Sequence, residues 1–101
     1  MEQIAAGNSP VVLDVRSKKE FDEGHIPSAI HLPFWRVGSR WRQLADMRER
    51  PLVVYCGHGP RAYVAGAMLQ RRGFTRVTYL EGHMKKWNEM GLPVDRRVGE
   101  R

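Results

Sequence analysis

The sequence predicts an α/β fold with a largely parallel sheet covered on both faces, and three observations predict it. Short, almost wholly apolar runs recur at residues 11–15, 52–55 and 77–80, the pattern of strands buried on both sides. Between them lie segments with helical periodicity. Start and stop signals bound those segments, so strand and helix alternate along the chain, as in sheets whose crossovers supply the covering layers.

Val11–Val15 (VVLDV) is the first strand. Ser17 and Glu20 then form a capping box, with Ser17 as N-cap and Glu20 three residues on, opening a short helix that Gly24 can end. Ile30–Leu32 reads as a second short strand. Arg40–Arg48 reads as an amphipathic helix with Trp41, Leu44 and Ala45 on one side. Leu52–Tyr55 is a strongly apolar strand. From Arg61 to Arg72, Val64, Ala65, Met68 and Leu69 form a helical stripe that Gly73 caps. Val77–Leu80 is a further strand, and His83–Met90 a last helix ending at Gly91 with Pro93 beyond. The charged tail from Asp95 is expected to fray.

The 101 residues make one domain, able to bury roughly 60–70% of the unfolded surface without staples. A single cysteine excludes an internal disulfide, and there is no CxxC pair for structural zinc. No apolar run approaches the roughly 18 residues of a membrane span, and the N-terminus lacks the apolar stretch of a signal peptide, so a soluble, cytoplasmic protein is expected. The net charge of +6 falls as +1 on residues 1–50 and +5 on residues 51–101. That favours anionic ligands or acidic partners near the second half. The basic residues are scattered without a nucleic-acid-binding motif, so no nucleic-acid partner is expected.

The single thiol stands in LVVYCGHGPRA, residues 52–62. Ligands in open α/β sheets sit outside the carboxyl ends of the strands, which is where Cys56 falls. Gly57 and Gly59 can turn backbone N–H groups inward as an anion-binding nest, and the next helix adds its amino-terminal partial charge. Pro60 suits the first helical turn but removes one donor, leaving Gly57, His58, Gly59 and Arg61. Such donors stabilise a thiolate, which makes Cys56 a candidate nucleophile and Arg61 a candidate ligand for an anionic substrate. A lone cysteine at a strand end is more often a small core residue, but the glycines, the arginine and the strand–loop–helix setting argue against that here.

Three stretches resemble the rhodanese, or thiosulfate sulfurtransferase, family: VVLDVRSKKEFDEGHIPSAIHLP (11–33), CGHGPRA with its Cys-x-x-Gly-x-Arg pattern of Cys56, Gly59 and Arg61, and LEGHMKKWNEMGLPV (80–94). The resemblance spans residues 11–94, within a single domain of residues 1–101. It implies a three-layer α/β/α fold with a central, mostly parallel sheet of four to five strands. It also implies a reaction, in which the Cys56 thiolate takes the sulfane sulfur of thiosulfate or another donor, held as a persulfide by the loop amides of Gly57, His58 and Gly59, and passes it to cyanide, a thiol or a protein acceptor. No cofactor and no metal are implied. Two departures stand out. His83 occupies the place of the second glycine of a pair, so the turn before the last helix is expected to differ. Little chain precedes Val11, where the family has a further strand.

Asp14 and Arg16, at the end of the first strand, are candidates to support the loop from behind, but the favoured reading is structural, with Arg16 paired to Glu20 and Asp14 accepting backbone hydrogen bonds. His58 lies in the loop, where shaping acceptor choice suits it better than acid–base work. His25 and His31, with Cys56 and His58, fit no zinc spacing. Phe34, Trp35 and Trp41 among Arg36, Arg40 and Arg42 read as aromatic anchors beneath a solvated basic face. The main rival is a non-catalytic or persulfide-carrier module that binds a partner. A phosphatase or arsenate reductase on the same fold would need Cys-x5-Arg, and the residue at that place is Ala62.

Overall fold

A computed structural model describes residues 10–96. Among these, four strands make one sheet: β1 (Val11–Asp14), β2 (Ile30–His31), β3 (Leu52–Tyr55) and β4 (Val77–Tyr79), in the spatial order β2-β1-β3-β4. Every pairing is parallel, with Val11 opposite Leu52 and Asp14 opposite Tyr55 at the centre. The helices are α1 (Lys18–Glu23), α2 (Val37–Arg40), α3 (Pro60–Arg71) and α4 (His83–Glu89). The sheet thus has the lower of the two strand counts expected. The residues in which a preceding strand would fall lie largely outside the described ones.

Side-chain alternation along the strands divides the core in two. Val11, Leu13, Leu52 and Val54 face α2 and α3 and join Val37, Ala62, Ala65 and Leu69 in the larger cluster, with Cys56 at its edge. Tyr55 and the partly buried Val12 point the other way, onto Ile26, Met84 and Trp87. The sheet is a middle layer, as its continuous apolar strands require.

The capping box forms as read: Glu20 N–H donates to Ser17 Oγ, and Ser17 N–H donates to Glu20 Oε1 at 3.1 Å. Several elements differ from expectation. The expected helix 40–48 is the single α turn of α2 followed by a 3₁₀ segment, Trp41–Met47. The apolar residues Trp41, Leu44 and Met47 recur at a strict spacing of three, which lines them up on a 3₁₀ helix and not on an α-helix; all three pack on the larger core. Three strands, β1, β2 and β4, also stop one residue early: Val15, Leu32 and Leu80 still donate to the Tyr55, Asp14 and Val54 carbonyls, but as exits from the ladder.

Gly66 of α3 faces β4 so closely that a Cβ would lie 2.2 Å from Tyr79 Oη and 2.9 Å from its ring. Helix propensity alone favours Gly66→Ala by about 0.5–1 kcal/mol, whereas overpacking costs about 1–3 kcal/mol. Gly66→Ala is expected to lower the thermal midpoint by several degrees. Adding Tyr79→Leu, which removes the clashing ring end, is expected to return part of that loss. A thermal melt of the single and double variants decides it.

Candidate active site

The carboxyl ends of β1 and β3 meet in a polar cluster. Asp14, fully buried, takes the N–H of Arg16 at 2.9 Å and its guanidinium Nη2 at 2.8 Å. The same guanidinium reaches the carbonyl of Gly24 at 2.7 Å and stacks near the Tyr55 ring. Burial works against the charge on Arg16, but the hydrogen bonds and charge of Asp14 outweigh it and hold the guanidinium above its ordinary pKa. Tyr55, one residue before the thiol, is wholly buried and accepts the N–H of Ile26 at 3.1 Å. Burial and the neighbouring Asp14 carboxylate push its phenol up, so it stays neutral. The expected Arg16–Glu20 pair does not form. Arg16 turns inward to Asp14, because a buried guanidinium needs a buried counter-charge.

Glu20 instead holds Arg61. Its two oxygens accept Arg61 Nη1 at 2.8 Å and Nη2 at 3.1 Å, a bidentate pair between α1 and α3. Hydrogen bonding to Arg61, against a smaller opposing effect of burial and helped by Ser17, pulls the Glu20 carboxyl from 4.5 to about 2. The sequence marks Glu20 only as the N3 acid of the capping box; its second role depends on a residue 41 positions away.

Cys56 is fully buried at the floor of the loop. The N–H of Gly59 donates to its sulfur at 2.9 Å. Gly59 has φ +135° and begins α3, with Pro60 in the first turn, so the left-handed residue is what aims that N–H back at the sulfur. Arg61 Nη2 lies 3.2 Å from the position a Cβ on Gly57 would take, so a bare Gly57 gives the guanidinium its place beside the loop. Its hydrogen bonds to Glu20, and then the Cys56 sulfur, outweigh burial and favour its charge. His58 stands exposed at the rim.

The start of α4 closes the loop from the other side. Met84 and Lys85 N–H groups donate to the Cys56 and Gly57 carbonyls at 3.0 Å each. The side chain of His83 accepts the N–H of Cys56 on Nδ1 at 3.3 Å. Gly82 and His83 both carry positive φ, +74° and +53°. The two-residue left-handed turn is kept although the second residue is histidine. A left-handed non-glycine residue costs roughly 1–2 kcal/mol, which the buried hydrogen bond to Cys56 helps to offset. Sequence reading marked His83 only as a departure.

The other candidates lie elsewhere. His25 and His31 sandwich Phe21, with ring centroids 3.7 and 4.6 Å away, and their ring nitrogens sit on the Phe21 and Arg16 carbonyls. Among the described residues no acid–histidine–cysteine group is arranged to hold a metal. Trp41 packs on the core beneath the guanidiniums of Arg42, Arg48 and Arg72, at the carboxyl end of α3 and away from Cys56. Phe34 packs on the same core, and Trp35 is exposed.

Residues 1–90 match the Rhodanese-like domain family. The chain belongs to the rhodanese family. A sulfurtransferase of Allochromatium vinosum is 32% identical to this rhodanese domain over 93 residues, which is 92% of this chain and 85% of that protein. A tRNA uridine(34) hydroxylase of Citrobacter koseri is 31% identical over 108 residues, 90% of this chain but 31% of its own length. Among solved structures, a rhodanese-related protein of Thermoplasma volcanium has a TM-score of 0.78 at 33% identity, covering 93% of this chain and 88% of that one. The thiosulfate sulfurtransferase of Pseudomonas aeruginosa has a TM-score of 0.82 at 27% identity, covering 94% of this chain and 18% of that one. The fold is therefore the rhodanese α/β fold, and the relatives support an enzyme of the sulfurtransferase type. Among the described residues no helix is long and apolar enough to cross a membrane.

Glu20→Gln keeps the capping box and removes the charge. A depressed carboxyl pKa contributes stability that is present above pH 4.5 and lost as pH falls towards about 2. Both side chains of the pair are about a third exposed, at 28% and 37%, which limits the contribution to about 1 kcal/mol or less. Wild type should exceed Glu20→Gln in urea midpoint at neutral pH, and the gap should close across that acid window.

Proposed function

We propose that the domain moves a sulfane sulfur through a persulfide on Cys56. The observation that carries the reading is the Gly59 N–H aimed at the Cys56 sulfur at 2.9 Å, in a four-residue Cys–Arg interval that ends on Arg61. In the first half-reaction the Cys56 thiolate attacks the outer sulfur of thiosulfate. The new S–S bond forms as the old one breaks, and the electron pair leaves on sulfite. The persulfide anion stays on Cys56, in reach of the Gly59 amide and with the amides of Gly57 and His58 as further donors. In the second half-reaction cyanide or an acceptor thiolate attacks the terminal sulfur. The electron pair of the breaking S–S bond returns to Cys56, and thiocyanate or a new persulfide departs. The enzyme alternates between two covalent states, so ping-pong kinetics follow.

Arg61 serves the donor anion in this reading, with Glu20 fixing the guanidinium plane while one edge stays toward the loop. Asp14 and Arg16 hold the carboxyl ends of β1 and β3 together behind it. His58, exposed at the rim, meets the incoming acceptor, a small thiol or a protein cysteine. The buried sulfur favours donors and acceptors that present a narrow, end-on sulfur or carbon atom.

Cys56→Ser should abolish both thiocyanate production and the gain of one sulfur seen by intact mass after thiosulfate treatment. Thiocyanate made at the wild-type rate by Cys56→Ser would sink the mechanism. A persulfide carrier would instead gain the sulfur and turn over thiosulfate slowly. Arg61→Ala removes a charged hydrogen bond worth about 1.5–3 kcal/mol and should raise KM for thiosulfate roughly tenfold or more with a smaller effect on persulfide lifetime. An unchanged KM would remove Arg61 from substrate binding.

A further inference from the structure

We infer that His83 is a positioning residue for the Cys56 loop, a hydrogen-bond clasp closed when its imidazole is neutral and open when it is protonated. The geometry of the clasp stands on its own, while its effect on rate rests on the persulfide reading of Cys56.

The N–H of Cys56 donates to Nδ1 of His83. Nδ1 can accept only when it carries no proton, so the ring is neutral with its proton on Nε2. Nε2 lies 3.5 Å from the position a Cβ on Gly59 would take, and the N–H of Gly59 is the donor to the sulfur. One imidazole therefore borders both the residue that bears the sulfur and the residue that holds it. The ring is 4% exposed. Its backbone is pinned by the bonds of Met84 and Lys85 to the Cys56 and Gly57 carbonyls, and Tyr63 of α3 packs edge-on against it at 5.6 Å.

The titratable groups facing the ring are Cys56 and His58 from the loop and Tyr63 from α3. On its own stretch of chain Glu81 and Lys86 pair with each other. Burial, and then the charge of His58, push the His83 pKa below its ordinary value, which keeps the clasp closed at neutral pH. Protonation in acid would place an N–H on Nδ1 against the N–H of Cys56. Two donors then face each other, and the buried Cys56 amide loses its acceptor. Acid thus loosens the loop independently of protonating the thiol. A glycine at this place, as in the family pattern, has no such side chain.

Two substitutions separate the clasp from the backbone. His83→Gly accepts the left-handed turn and removes the acceptor. His83→Asn also tolerates that turn and offers an amide oxygen near the place of Nδ1 without a titrating ring. The pH dependence of the Cys56 amide signal and of the His83 ring, followed by NMR, tests the clasp directly. In wild type both should move at one shared midpoint below about 6.5, and that step should vanish from the Cys56 amide in both variants. The rate of sulfur uptake from thiosulfate, followed by intact mass against pH, tests the consequence. Wild type should lose rate in acid more steeply than His83→Asn, which should keep a wild-type plateau. His83→Gly should show the shallower limb of His83→Asn and a plateau about two- to tenfold lower, the range of one lost hydrogen bond. A Cys56 amide that does not follow the His83 ring, or identical limbs and plateaus in all three proteins, overturns the inference. Wild type that takes up no sulfur at any pH overturns the persulfide reading instead, and the amide titration still decides the clasp.

Discussion

The parallel pairing of β1 with β3 carries the site, and a buried ion pair sits at its last rung. Asp14 stands opposite Tyr55 in the ladder, and Arg16, paired with Asp14, lies over the Tyr55 ring. Two charges taken out of water repay their desolvation only when their remaining hydrogen bonds are filled. Here they are: Asp14 also accepts the Arg16 amide, and Arg16 also donates to the Gly24 carbonyl. The chain returning from α1 is thereby tied to the strand ends. Tyr55 adds a second tie through Ile26, and Cys56 follows it directly. Breaking either charge would leave the other buried and alone, a loss of several kcal/mol in comparable settings.

From that base the loop is gripped by three helices with three kinds of contact. Gly59, the N-cap of α3, supplies the N–H on the sulfur. The first turn of α1 supplies the carboxylate that fixes Arg61. The first turn of α4 supplies donors for the Cys56 and Gly57 carbonyls and an acceptor for the Cys56 amide. The proposed change of this sulfur between thiolate and persulfide, without loss of its place, would need such fixed donors. Preorganised dipoles stabilise charge without reorganising when the charge forms. Gripping from three sides also explains why glycine is needed at 59, where a Cβ would press on Tyr63 at 3.2 Å.

What could be read from the sequence was local. The apolar strand runs, the capping box at Ser17 and the Cys56–Arg61 loop each announce themselves within a dozen residues, and so does α3, although its buried face is Ala62, Ala65, Gly66 and Leu69, with Val64 of the expected stripe exposed. The partner of Arg16 is not legible in the sequence because Asp14, two residues before it, and Glu20, four residues after it, are both within local reach, and only burial chooses between them. The Glu20–Arg61 and His83–Cys56 contacts span 41 and 27 positions, and no local pattern encodes them. The 3₁₀ segment was hidden for another reason. Trp41, Leu44 and Met47 fit one face of an α-helix loosely and one line of a 3₁₀ helix well, and core packing decides between the two.

The charge distribution needs the same correction of scale. The excess of positive charge in residues 51–101 suggests a field that draws anions to the loop, yet the structure disperses it. Lys85 pairs with Glu89, Lys86 with Glu81 and Arg61 with Glu20. Arg72 gathers with Arg42 and Arg48 around Trp41, a helix length of about 18 Å from the loop at the other end of α3. Charges that far apart are largely screened at physiological salt. In the proposed reaction, selection of an anionic donor would therefore rest with groups in contact with it: the loop amides, the unshared edge of Arg61, and the amino end of α3. Net charge sets the solubility and encounters of this domain, whereas the chemistry is set within a few ångströms of Cys56.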